Sequence, residues 1–337
     1  MRQVVLQAPY EIACREANIP KRPVGQVLLS TLCAGICGSD LHAYKGNQPF
    51  LTYPRVLGHE LALEVAEADI ESGLTSGDRV TVEPYIGCGR CYPCSRGRYN
   101  CCERLEVLGV HRDGGFQEYI TVPAEKVYKA PLSMDIEELA LIEPLSIGAH
   151  SVERARVEAG EFVFVVGAGP IGIAAAQVAK SRGATVAIGD IVEERLQLAV
   201  RLGADHACNF SKENVMEKVA DLTGGTGAHV VIEAVGRKET IEETVNYVAP
   251  SGRIVIVGVG RDVVCFPQQV FNKKEIDFLG SRNSKGMFAK LISLVNSGKL
   301  TMKPLVTHRI TLEEVPEMLR FMDSNPGGVM KVLVTLG

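Results

Sequence analysis

The eighteen residues from 162 to 179 carry no charge, and they constrain the fold more than any other stretch. A run that long crosses a membrane only as one unbroken apolar helix. Gly167, Gly169, Pro170 and Gly172 interrupt it, so it reads as a buried strand over 162–166, a tight turn, and a helix over 171–182. The same rhythm continues with strands expected at 185–188, 230–233 and 253–257 and a helix at 193–202. Strands alternating with helices predict parallel βαβ units in a doubly wound sheet. Before about residue 140 the text differs. Short β-type runs at 27–32, 61–66, 79–83 and 118–122 alternate with turn residues such as Gly73, Gly77, Gly114 and Gly115, which predicts a loop-rich, barrel-like β domain. From about 284 come two helical patterns and a terminal apolar strand at 331–336. The 337 residues amount to about two domains of roughly 150. The expected division is 1–147 with 284–337, and 148–283.

Charge narrows the partners. Thirty-six basic residues against forty acidic ones leave a net charge of −4, with no long run of either sign. That argues against a nucleic-acid surface and against a polybasic membrane anchor. The first eighteen residues hold one short apolar run, at 4–6, with Arg15 and Glu16 soon after, too little for a secretory signal. A soluble, cytoplasmic protein acting on a small molecule is the expectation.

Gly167, Gly169 and Gly172 form G-x-G-x-x-G behind a strand and at the mouth of a helix. Such glycines permit the turn, let backbone approach a pyrophosphate, and allow close helix–strand packing. The helix start at Pro170 and Ile171 presents unpaired N–H groups to phosphate oxygens. Asp190 follows Gly172 by eighteen residues, at the end of the next strand. A carboxylate there accepts from the adenosine ribose hydroxyls and repels the extra phosphate of NADP. Ile191 and Val192 bring no compensating cation; Arg195 is a nearby one, but it suits the ribose edge equally well. NAD is therefore the expected cofactor, with Gly258 and Val259 as further contacts.

Two groups of residues have metal-ligand character. Five of the ten cysteines, Cys88, Cys91, Cys94, Cys101 and Cys102, fall within fifteen residues. In a reducing compartment that density favours a metal over disulfides. The spacing C-x2-C-x2-C-x7-C of Cys88, Cys91, Cys94 and Cys102 suits four thiolates around Zn²⁺, a closed shell that would brace a loop. Iron–sulfur proteins use related spacings, but a nicotinamide enzyme needs no one-electron relay here. Spacing alone leaves Cys101 and Cys102 as alternatives. The second group is dispersed. Cys37 lies in G-I-C-G-S-D-L-H, His59 and Glu60 in G-H-E, and Glu143 in E-P-L-S. Cysteine, histidine and carboxylates around an open position are what a catalytic zinc requires. Taken singly, each reads equally as a core cysteine or a turn histidine.

Taken together, G-I-C-G-S-D at 35–40, G-H-E at 58–60, the four-cysteine stretch and the Gly167 loop resemble the zinc-dependent medium-chain alcohol and polyol dehydrogenases, over essentially the whole chain. E-P-L-S-I-G at 143–148, G-A-G-P-I-G at 167–172 and K-P-L-V-T-H-R at 303–309 look like the sorbitol dehydrogenase branch. G-N-Q-P-F-L-T-Y-P-R-V-L-G-H-E at 46–60 and G-S-R-N at 280–283 are similar to bacterial sugar-acid dehydrogenases of the L-galactonate oxidoreductase type. The resemblance implies an α/β protein with a GroES-like, β-rich catalytic domain and a Rossmann NAD-binding domain, two zinc ions per chain, and a homotetramer. It implies that Cys37, His59 and Glu60 hold or flank the catalytic zinc and that Glu143 completes the site, directly or through water. It further implies that Asp40 orients His59 and that Cys102, not Cys101, is the fourth structural ligand. Ser39 would bond the substrate oxygen and start a proton relay, with His42 a later member. Arg282, beside Asn283, falls where sorbitol dehydrogenases carry a substrate-contacting arginine, and a guanidinium suits a carboxylate end group.

One departure is plain. Where vertebrate-type sorbitol dehydrogenases have a substrate-lining tyrosine directly after the relay histidine, this chain has Ala43 and then Tyr44. The expected reaction is hydride transfer between NAD and a secondary alcohol of a sugar acid or polyol. An L-threonine 3-dehydrogenase shares the zinc and nucleotide motifs and is the alternative. A non-catalytic NAD-binding regulator would have no use for Cys37, His59 and Glu60.

Overall fold

The computed structural model describes residues 1–325 and 327–336. They form two units, one of Met1–Glu143 with the segment from Phe288 onward, the other of Pro144–Met287. The first division falls inside the helix Ile142–Arg154, and the second just ahead of the helix Phe288–Asn296.

The first unit is organised by one sheet, ordered Val127–Lys129, Arg79–Val82, Glu60–Glu67, Gln26–Ile36, Lys331–Thr335 and Val306–Thr311, with Tyr119–Pro123 also paired to Gln26–Ile36. Along the central strand Val27 and Leu29 are buried while Leu28 and Ser30 are half-exposed, the alternation of a strand with one face in a core. Leu29, Leu61, Leu63, Val80, Val82 and Phe116 are all fully buried in that core. The run expected at 27–32 proves longer. Cys33–Ile36 extends the strand because the chain's last strand returns beside it, pairing Val332 with Ile36 and Leu333 with Gly35.

That register builds the site. Glu60 faces Gly35 across the other edge of the same strand. Three remote segments therefore meet at one end of the sheet: Ile36 runs into Cys37, Gly58 and His59 run into Glu60, and Lys331 opens the last strand. Gly35 is what lets them close together. A Cβ on it would stand 1.9 Å from Glu60 Oε2 and 2.9 Å from Glu60 Cβ.

The second unit is a six-stranded parallel sheet, ordered His206–Asn209, Thr185–Asp190, Phe162–Val166, Ala228–Glu233, Val248–Ile256 and Asp277–Gly280. Every residue of Phe162–Val166 is buried, as expected of a parallel strand covered on both faces. The strand order turns around between Phe162–Val166 and Ala228–Glu233, and such switch points receive ligands at the carboxyl ends of the strands. The uncharged run thus divides as its glycines indicate, into that strand and the helix Pro170–Ser181. No helix among the described residues is long and apolar enough to cross a membrane.

Gly35→Ala should move the whole Glu60 side chain and destabilise the first unit by about 1–3 kcal/mol, the usual cost of overpacking. Gly38→Ala meets nothing within 4 Å and should leave the thermal melt unchanged. Equal melts for the two variants would contradict this account of the strand pair.

Candidate active site

Cys37 stands at the N-cap of the short helix Gly38–Tyr44, directly beyond the central strand. Asp40, in the first turn, accepts from the backbone N–H of Cys37 at 2.9 Å and from that of Gly58 at 3.3 Å. One buried carboxylate thereby ties the segment carrying Cys37 to the segment carrying His59. Asp40 Oδ1 also lies 3.8 Å from His59 Nδ1. Ligand atoms of Cys37, His59 and Glu60 all come within 4.8 Å of one another.

Opposite them is a residue the sequence reading did not single out. Lys331 Nζ donates to both oxygens of Glu60, at 2.7 and 2.9 Å, and to the Ile36 carbonyl at 3.4 Å. Both side chains are buried, Lys331 at 4% exposure and Glu60 at 0%. A lysine at the head of an apolar terminal strand was the available signal. Its partner could not be known without the register.

The field in this pocket favours a cation. Burial would lower the pKa of His59, but Asp40 and Cys37, with Glu143 beyond, outweigh it and raise it well above the ordinary histidine range. Burial, against the pull of His59, pushes the Glu143 carboxyl up to about 7, with Glu60 adding to the rise. His59 Nδ1 is a buried polar atom with no hydrogen-bond partner among the described residues. Thiol, imidazole and carboxylate converging in a negative, buried pocket fit a zinc ion.

Glu143 sits in the first turn of Ile142–Arg154, outside the group of three, where it accepts a hydrogen bond from the Tyr85 hydroxyl. Ser39 is half-buried on the helix that Cys37 caps, and His42, three residues further and on the same helical face, is exposed. Tyr44 is only 3% exposed and packs edge-on against Tyr10 at 5.1 Å between centroids, so it belongs to the core.

The four-cysteine stretch also converges. Cys88, Cys91, Cys94 and Cys102 place their sulfurs within 4.8 Å of one another, and Cys101 lies outside that group. The Cys91 and Cys102 sulfurs are 3.7 Å apart. Four thiolates at Zn–S of about 2.3 Å stand about 3.8 Å from each other in a tetrahedron. Backbone N–H groups of Cys88 and Arg104 point at Cys102 Sγ, at 3.2 and 3.3 Å, and those of Arg90 and Cys91 pull the Cys88 thiol down to about 6. These are the contacts a thiolate cage needs.

In the second unit the glycine loop is a tight shell. Gly167 adopts φ +102°, and a Cβ there would stand 2.6 Å from Val235 Cγ2. A Cβ on Gly172 would meet the Gly167 carbonyl at 1.8 Å, whereas one on Gly169 would meet nothing within 4 Å. The middle glycine therefore faces open space, where backbone can approach a ligand. Pro170 starts the helix, with Ile171 behind it. Asp190 is 9% exposed and accepts from Ala168 N at 2.7 Å and from Val192 N at 2.9 Å, which ties the glycine loop to the strand end. Arg195 is half-buried in the following helix. Gly258 N donates to the Glu233 carbonyl at 3.1 Å, and Val259 beside it is 91% exposed. Arg282 is exposed after the last strand of this sheet, and Asn283 next to it has φ +49°.

Comparison with known proteins agrees over the full length. Residues 23–132 match the alcohol dehydrogenase GroES-like domain, and residues 170–297 match the zinc-binding dehydrogenase family. The chain is 40% identical to L-galactonate-5-dehydrogenase of Escherichia coli K12, over 94% of each chain. It is 36% identical to L-threonine 3-dehydrogenase of Pyrococcus horikoshii, over 90% of this chain and 91% of that one. Its structure superposes with a TM-score of 0.93 on the rspB alcohol dehydrogenase of E. coli CFT073 solved with NADH, at 34% identity over 100% and 99% of the two chains. A Sinorhizobium meliloti 1021 protein described as a zinc-binding dehydrogenase and bound to NADP gives the same score, 0.93, at 33% identity over 99% and 98%. The chain belongs to the zinc-type medium-chain alcohol dehydrogenase family: it is an oxidoreductase acting on CH–OH groups.

The buried ion pair generates a test. Lys331→Met leaves Glu60 as an unpaired buried charge, at a cost of about 3–5 kcal/mol. Added zinc should raise the melting midpoint of this variant more than that of the unaltered protein, because a metal replaces the missing cation. An equal rise in both would show that Glu60 does not face the metal.

Proposed function

We propose that the protein transfers a hydride between NAD and a secondary alcohol of a sugar acid or polyol of the L-galactonate or sorbitol kind. In this reading Cys37, His59 and Glu60 hold the catalytic zinc, and Cys88, Cys91, Cys94 and Cys102 hold a structural one. The observation that carries it is the convergence of Cys37, His59 and Glu60 from two remote stretches of chain into one buried, negative pocket. When bound, zinc supplies the Lewis acidity that lets an alcohol ionise near neutral pH, and NAD supplies the hydride acceptor.

The chain's own groups do the rest. Ser39, two residues beyond Cys37, bonds the substrate oxygen and accepts its proton as the serine's own hydroxyl proton is handed on toward His42. His42, on the same helical face and exposed, passes that proton to solvent. Asp40 fixes the spacing of the Cys37 and His59 segments, and Lys331 holds the Glu60 carboxylate in one orientation. Glu143 stands beside this group, and its carboxylate orients water or a substrate hydroxyl.

Asp190 is the ground for preferring NAD to NADP. Both its oxygens are engaged by backbone N–H groups, so the carboxylate cannot swing aside for a ribose phosphate. Gly167, Gly169, Pro170, Ile171 and Gly172 cradle the pyrophosphate, and Arg195, Gly258 and Val259 complete the cofactor contacts. Arg282, with Asn283, pairs with the carboxylate of a sugar acid. The 40% identity to the E. coli galactonate enzyme supports that substrate class, and the likeness to the Pyrococcus enzyme makes a threonine-type substrate the second reading. The proposal includes a cytoplasmic homotetramer, as the family resemblance implies.

Three measurements test this. Metal analysis should find two zinc ions per chain, falling to one in Cys37→Ser, with turnover lowered at least about 1,000-fold and NADH affinity unchanged. Normal turnover in Cys37→Ser would end the proposal. Asp190→Ala should weaken NAD binding and relax discrimination against NADP, and an unaltered preference would remove Asp190 from the ribose site. A panel of hexonates, polyols and threonine with NAD, read by nicotinamide absorbance, should give its highest kcat/KM on a hexonate or polyol. Preference for threonine would favour the second reading.

A further inference from the structure

We propose that Tyr85 is a positioning residue for the reaction: its hydroxyl holds the Glu143 carboxylate beside the Cys37–His59–Glu60 group and keeps it from joining that group. This inference rests on the zinc-site reading above.

The hydroxyl of Tyr85 donates to Glu143 Oε1, and the two side chains are 3% and 2% exposed. A buried phenol bonded to a buried carboxyl group is a costly contact to break, because neither partner can turn to bulk water instead. Glu143 has another place to go. It stands close enough to His59 and Glu60 to feel their charges, and a cation held by Cys37, His59 and Glu60 would attract it. The bond to Tyr85 competes with that attraction.

Tyr85 can compete because the segment that carries it is held by a paired strand and by the contacts of Glu83. The pair Tyr85–Ile86 is hydrogen-bonded to Glu106–Val107. Two residues earlier, buried Glu83 accepts from the Tyr99 hydroxyl at 2.7 and 3.0 Å and from Lys126 Nζ at 3.2 Å. The Lys126 ammonium lies 4.1 Å from the centre of the Tyr99 ring. Tyr99 belongs to the four-cysteine stretch, and a Cβ on Gly87 would stand 2.9 Å from Tyr99 Cβ. The segment bearing Tyr85 is therefore tied to the cysteine lobe independently of Glu143.

The test is a double-mutant cycle with Tyr85→Phe and Glu143→Gln, read in kinetics and in the cobalt(II) spectrum of the metal-substituted protein. Tyr85→Phe keeps the ring and removes only the donor. It should lower kcat about 10–100-fold with a smaller change in KM, and shift the cobalt d–d bands as Glu143 enters the coordination shell. In the Glu143→Gln background the same substitution should change neither kcat nor spectrum further. Additive losses in the cycle, or an unshifted cobalt spectrum in Tyr85→Phe, overturn the role given to Tyr85. Absence of a Cys37-dependent sulfur-to-cobalt band in the unaltered protein overturns the zinc-site reading itself, and this inference with it.

Discussion

The buried ion pair between Lys331 and Glu60 is the interaction on which the first unit's chemistry depends. It joins the chain's last strand to a strand begun at residue 60, on opposite sides of the strand that leads into Cys37. Two ions removed from water are stable only when their geometry is good and their remaining bonds are met. Here Lys331 spans both carboxylate oxygens and the Ile36 carbonyl, and Gly35 leaves the space they need. The pair bridges the two strands that flank the one leading into Cys37, and it compensates one anion in a pocket crowded with them.

That crowding is purposeful in physical terms. Among the described residues, Asp40, Glu60, Glu143 and Cys37 act electrostatically on two cationic groups, His59 and Lys331. Such a site is unfavourable to the bare fold and favourable to a divalent cation, so metal affinity and local instability share one source. Backbone donors do a comparable service at the cysteine lobe, where N–H groups point at sulfur. The second unit carries the opposite device, a glycine shell and a helix start, the kind of terminus whose free N–H groups suit an anion.

Much of this was legible in the sequence because local chemistry announces itself. Glycine spacing behind an apolar strand marks the turn between Phe162–Val166 and the helix Pro170–Ser181, and Asp190 follows at the distance one crossover helix requires. The alternation of strands and helices gives the parallel sheet. What the sequence could not supply was pairing across long separations. The β-type run ends at 32 in the sequence and reaches Ile36 only because the strands from 60 and 331 pair with it, and Lys331 reads as the first residue of an apolar terminal strand until Glu60 is beside it. Tyr85 carried no signal at all, since one tyrosine in E-P-Y has no periodicity or motif, and only the position of Glu143 gives it meaning. The choice of Cys102 over Cys101 is likewise invisible to spacing, because either could close the loop.

The most direct test is anomalous diffraction at the zinc edge from crystals of the zinc-loaded protein. The account predicts two peaks per chain, one of them roughly 2.0–2.3 Å from Cys37 Sγ, a His59 ring nitrogen and a Glu60 oxygen, with Tyr85 still bonded to Glu143. A single peak at the cysteine lobe, or a second peak that Cys37 and His59 do not share, would contradict it.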